Sequence, residues 1–117
     1  MPQPPVGTVI CTWTALQETG TVLYRKDGFF GFVVLDDYLP RGYVDACPHS
    51  GMPLGGGLAE DDLDGAHYQT REQDVIVCSW HSASFLKENG LCIGGPCAGD
   101  HLEAWPVERR GDEVVTV

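Results

Sequence analysis

Two short motifs hold the side chains best suited to bind a metal. Cys47-Pro48-His49 is a Cys-x-His, and Cys78-Ser79-Trp80-His81 is a Cys-x-x-His. Two thiolates and two imidazoles on facing loops can bind one tetrahedral zinc, or a 2Fe–2S cluster with histidines on one iron. The spacing bears on the choice. Zinc sites usually repeat one ligand type within a pair, as Cys-x2-Cys or His-x3-His, whereas each loop here offers one cysteine and one histidine. A mixed pair per loop is what a cluster with two cysteines on one iron and two histidines on the other requires.

The remaining candidates are weaker. Five cysteines, at 11, 47, 78, 92 and 97, are an odd number, so a complete disulfide framework is impossible. Cys11 reads as a small core residue of a strand. Cys92 and Cys97 bracket Gly94-Gly95-Pro96 and read either as two reduced thiols or as a disulfide or redox sensor. His67 and His101 have no partner at ligand spacing and read as solvated loop residues. Gly55-Gly56-Gly57 is followed by no Lys-Ser/Thr pair and so resembles no phosphate loop. No Ser-His-Asp arrangement has credible spacing. Seventeen acids against seven bases leave a net charge of −10, which argues against a nucleic-acid binder, because a phosphate backbone needs a basic face.

The elements that must position the two motifs are short strands. The 117 residues make one expected domain, 1–117, and fifteen glycines with eight prolines leave few windows for a helix. Val6 to Trp13, Thr21 to Arg25, Phe29 to Leu35, Tyr43 to Ala46, Asp74 to Cys78, Ser84 to Lys87, Leu102 to Val107 and Glu113 to Val117 read as strands. Lys26-Asp27-Gly28 turns the second into the third as a hairpin, and Arg109-Arg110-Gly111-Asp112 joins the last two. Trp13 and Trp105 should fill the core. Each motif follows a strand and opens a turn. The stretch from Gly51 to Gln73, with its acids Glu60, Asp61, Asp62 and Asp64, reads as one long loop. The expected class is all-β, a small antiparallel barrel or sandwich. The longest apolar run, Phe29 to Leu35, is too short to span a bilayer, and the Met-Pro-Gln-Pro-Pro start carries no secretory signal, so a cytoplasmic protein is expected.

At these residues the sequence resembles the Rieske family. Cys47-Pro-His-Ser-Gly-Met-Pro-Leu54 looks like its first loop, and Cys78-Ser-Trp-His-Ser-Ala-Ser-Phe85 like its second. Gly90 matches the family's downstream glycine and Gly95-Pro96 the Gly-Pro of the loop that shields the cluster, while Val9 to Leu16 resembles the opening strand with its following leucine and Leu102 to Val117 the last two strands. The resemblance implies a β base with a two-loop cluster-binding subdomain inserted at about 43–97. It implies one 2Fe–2S cluster, with Cys47 and Cys78 on the inner iron and His49 and His81 on the outer.

Departures from the family pattern point to a subtype. Met52 and Trp80 stand where high-potential members carry an extra disulfide, and Ala83 and Phe85 where those members place serine and tyrosine hydroxyls. Fewer hydrogen bonds to cluster sulfur favour the lower end of the roughly −150 to +300 mV Rieske range. The resemblance therefore implies a soluble ferredoxin, an electron carrier and not an enzyme. It would shuttle single electrons from a flavoprotein ferredoxin reductase to a terminal oxygenase, as a monomer docking transiently through charge. Redox sensing, or service as an accessory subunit of a larger oxidoreductase, are the alternatives. The 28 residues between His49 and Cys78 (50–77) exceed the usual spacing, and their acids either face a basic partner or are simply solvated.

Overall fold

The computed structural model describes residues 3–48, 51–55, 68–70, 74–78 and 83–117. Its centre is an antiparallel sheet of β2 (Thr21–Lys26), β3 (Phe29–Asp36) and β4 (Leu39–Val44). The hairpin expected at Lys26-Asp27-Gly28 is present. Asp27 and Gly28 both have positive φ, 54° and 80°, as a two-residue turn matched to the twist of its strands requires. β3 alternates its side chains between two cores. Phe29 and Val33 join Trp13, Leu16, Val44, Trp105 and Val114 on one face, while Phe32 and Val34 join Leu23 and Tyr43 on the other.

The first core is closed by a second sheet, β1 (Val9–Thr12), β9 (Glu113–Thr116) and β8 (Val107–Arg110) in that spatial order. Between β1 and β2 lies α1 (Trp13–Thr19), a helix where strand was expected up to Trp13. Its local signals are sound. The Thr12 hydroxyl caps the start by accepting from the Ala15 N–H at 3.0 Å, and Gly20, at φ 77°, ends it by donating its N–H to the Leu16 carbonyl. Trp13 and Leu16 are the stripe it buries.

Other boundaries shift for identifiable reasons. β4 starts at Leu39, not Tyr43, because as an edge strand it accommodates Pro40. The last hairpin turns at Gly111-Asp112, so Arg109 and Arg110 belong to β8, while Leu102 to Pro106 stay outside it. Trp105 fills the core as expected, though from a segment that is not strand.

The second core lies under a third sheet of very short strands, β5 (Ile76–Val77), β6 (Ser84–Phe85) and β7 (Cys92–Gly94), the last not foreseen. Of the long expected loop, residues 51–55 and 68–70 are described, as turns, bends and a bridge from Gln69 to Ile76. Its acidic run lies outside the described residues.

Candidate metal centre

Two cysteines reach the second core from two loops built alike. Cys47 follows β4, and its N–H donates to the Met52 carbonyl at 2.9 Å while its carbonyl accepts from the Gly51 N–H at 2.7 Å. Cys78 follows β5, and its N–H donates to the Ala83 carbonyl at 2.9 Å. Each cysteine thus clamps a loop that closes five residues later, and each loop contains one histidine of the motif. His49 and His81 themselves lie outside the described residues, as does Trp80. Both cysteine side chains are enclosed, at 1% exposure, in one apolar cluster with Leu54, Ala83 and Phe85. Sulfur donors held away from water, one per loop, are the donor set an iron–sulfur cluster takes. Among the described residues, no group of three or more His, Cys, Asp or Glu gathers as an alternative metal site.

The first loop is fixed by a buried polar network that sequence reasoning missed. Asp45 stands two residues before Cys47. One carboxylate oxygen accepts from the Leu54 N–H at 2.8 Å and the other from the Tyr68 hydroxyl at 2.6 Å. The Tyr68 hydroxyl accepts in turn from the Arg25 guanidinium at 3.0 Å, and Arg25 and Asp45 are 3.7 Å apart. Leu54 ends the first loop, so this carboxylate ties that loop to β2 and to Tyr68. Burial pushes the Asp45 carboxyl above the usual carboxylate range, against the bonds from Tyr68 and Leu54 and the charge of Arg25, which pull it down. Burial and the neighbouring Asp45 also raise the Tyr68 phenol. The available signal was a carboxylate within the apolar run Tyr43 to Ala46, where a strand facing a core has no use for an unpaired charge.

A third segment packs on the second loop. At Gly95, with φ 94°, an added Cβ would sit 2.8 Å from the Ala83 Cα, so only glycine lets this backbone approach so closely. Cys92 and Cys97 flank that contact, and both are buried in the same cluster as Cys47 and Cys78. Burial, reinforced by Cys92, pushes the Cys97 thiol up to about 12. Cys11 lies half-buried in β1 against the other core, its thiol raised to about 11 by burial. His101 is exposed, as expected, and His67 lies outside the described residues.

Against known proteins, the sequence matches a family model, the Rieske [2Fe-2S] domain, over residues 9–106. No curated protein matches it. Among solved structures, it resembles the ferredoxin of carbazole 1,9a-dioxygenase from Nocardioides aromaticivorans IC177. The TM-score is 0.71 at 20% identity, covering 97% of this chain and 98% of that one. A ferredoxin-containing complex of reduced oxygenase and oxidized ferredoxin in carbazole 1,9a-dioxygenase aligns at TM-score 0.72 and 22% identity, over 97% and 94%. The cyanobacterial plasma membrane Rieske protein of Synechocystis PCC 6803 aligns at TM-score 0.68 and 16% identity, over 94% and 98%. At these identities the likeness establishes the fold, a nearly all-β arrangement with one short helix among the described residues.

Proposed function

The chain belongs to the Rieske [2Fe-2S] family, and from that premise we propose that it carries single electrons from a flavoprotein reductase to a terminal oxygenase. The supporting observation is the convergence of Cys47 and Cys78, from two similarly closed loops, in one enclosed apolar cluster. In this reading their thiolates hold the inner iron, and His49 and His81 hold the outer. When bound, the cluster supplies a site that takes up and releases one electron. The chain's own contribution is to keep water from the sulfur side and to fix the loops through the Asp45 carboxylate. Ala83 and Phe85, buried beside the cysteines, offer no hydroxyl, which favours a low potential.

The partners follow from charge and from the related complex. A protein of net charge −10 docks on basic surfaces, weakly and with strong salt dependence. One structural neighbour is a ferredoxin seen with its oxygenase, which fits delivery to such a partner. The described residues include no helix long and apolar enough to cross a membrane. In this reading the protein works as a soluble cytoplasmic monomer and catalyses nothing itself.

The test is the metal content of the purified protein with spectra after dithionite. About two irons and two acid-labile sulfides per chain, with a Rieske-type EPR signal, are expected. His49→Ala and His81→Ala should each abolish that signal. One zinc without sulfide, or an intact signal in either variant, would overturn the assignment.

A further inference from the structure

The Sγ atoms of Cys92 and Cys97 lie 2.8 Å apart. This is a contact between two sulfurs, about 0.8 Å longer than the ~2.05 Å of a disulfide bond. The segment joining them is already folded into a closed loop. The Cys92 N–H donates to the Asp100 carbonyl at 2.8 Å, the Gly99 N–H to the Cys92 carbonyl at 3.0 Å, and the Asp100 N–H to the Cys97 carbonyl at 2.8 Å. The backbone therefore holds the two side chains together before any covalent bond exists. Between them the loop is exposed, with Ile93 at 51%, while both cysteines are buried. Neither cysteine belongs to the Cys-x-His or Cys-x-x-His motifs, and electron transfer through the metal centre uses neither.

We propose that Cys92 and Cys97 are a redox-active dithiol site, closing to a disulfide by exchange with a small-molecule disulfide while the metal-centre cysteines remain untouched. The first cysteine loses its S–H proton, its sulfur attacks one sulfur of the small disulfide, and the other leaves and takes up a proton as a thiol. The second cysteine then loses its proton and its sulfur displaces the remaining small-molecule thiol from the first. One S–S bond is broken and one formed. Two electrons pass to the small disulfide and two protons to the released thiols. Exposed Gly95 and Pro96 between the two cysteines give the reagent access once the loop opens, and the disulfide then locks the segment that Gly95 packs against Ala83.

The experiment equilibrates the holoprotein with glutathione at increasing ratios of oxidised to reduced form, followed by acid quench, alkylation and tryptic digestion. Lys87 and Arg109 delimit a peptide, 88–109, that contains both cysteines and no other. At reducing poise it carries two alkyl groups. At oxidising poise it should carry none and weigh two hydrogen atoms less, with the visible absorbance of the cluster unchanged. Cys97→Ser should remove this closed form and leave residue 92 alkylated or bearing one glutathione. A peptide that keeps both alkyl groups at every poise would overturn the proposal. So would one that ends as a stable glutathione adduct in the unsubstituted protein, or oxidation that proceeds only as the cluster bleaches.

Discussion

The sheet of β2, β3 and β4 and the sheet of β5, β6 and β7 are both three-stranded and antiparallel, yet they are held by different means. In the first, every residue of β2 from Thr21 to Lys26 pairs with β3, and β3 pairs on to β4 from Gly31 to Asp36. Its order is secured by the ladder and by apolar packing on both faces. In the second, β5 pairs with β6 through two residues, and the β6–β7 register shifts between Ser84 and Phe85. So short a ladder cannot hold its own geometry. What holds this sheet and the loop beside it is particular side chains and close backbone approaches: Asp45 on Leu54 and Tyr68 at the loop, Gly95 on Ala83 and Cys92 against Cys97 at the sheet. A ladder tolerates the loss of one contact. A region fixed by a few contacts does not, and it is the region in which Cys47 and Cys78 converge.

The largest break in that comparison is expected at Asp45. Its side chain and that of Arg25 are 0% and 1% exposed, so Asp45→Asn leaves a guanidinium in the interior without its carboxylate. Removing one partner of a buried pair costs roughly 3 kcal/mol or more. Urea unfolding should report that loss, and iron should leave the variant faster under a chelator, because the first loop loses its anchor. The same change combined with Arg25→Met should recover part of the stability, since an apolar replacement of a whole buried pair is often near neutral. A double variant no more stable than Asp45→Asn would mean that the pair is not what fixes the loop.

Two glycines sharpen the contrast at an intermediate cost. In the long-stranded sheet, a Cβ on Gly31 would sit 2.7 Å from the Trp105 ring and 2.8 Å from that of Phe29. On the metal side, Gly95 meets the Ala83 backbone. Gly31→Ala and Gly95→Ala should each destabilise by about 2 kcal/mol, from overpacking and, at Gly95, a φ of 94° that suits only glycine. Their consequences should part. Gly31→Ala should keep its full iron and sulfide and its reduced spectrum, whereas Gly95→Ala should lose iron several-fold faster in a chelator time course. Equal rates would show that the two regions are not mechanically distinct.

The same division decides what could be read from the sequence. The β2–β3 hairpin was legible because alternating residues and an Asp-Gly turn are local signals. Of the Cys-x-His and Cys-x-x-His motifs, which stand out because ligand chemistry restricts residue type and spacing, the structure describes the two cysteines and brings them into one cluster, while both histidines lie outside the described residues. The helix Trp13–Thr19 was hidden by its length, although Thr12 and Gly20 marked its ends. β7 was not legible because it is three residues long and ends on glycine, and the Asp45–Tyr68–Arg25 network was not because its partners are far apart in sequence. Tyr68 lies 23 residues from Asp45 and 43 from Arg25, and no periodicity links such positions. Sequence showed that Cys92 and Cys97 bracket a Gly-Pro loop. Only the fold brought their sulfurs into contact.

The smallest expected effect is at the joint between the two regions. Tyr43 belongs to β4, pairs with Phe32 and packs in the metal-side core, and its hydroxyl donates to the Lys87 carbonyl just past β6, at 2.6 Å. Gly90 lies close enough to that ring for a Cβ to meet it at 2.9 Å. Tyr43→Phe keeps the ring and removes one hydrogen bond, so about 1 kcal/mol is the expected loss near neutral pH. Burial raises the phenol from its ordinary value of 10.0 to about 12. The folded protein therefore holds this proton more tightly than the unfolded chain. Stability should be flat below pH 10 with respect to this group and fall as pH rises toward 12. Urea midpoints for the two proteins should differ by a constant amount up to about pH 10, and the gap should narrow above it, because Tyr43→Phe has no phenol to ionise. A gap that stays constant to pH 12 would place the Tyr43 proton outside the interactions that join the ladder to the metal-side strands.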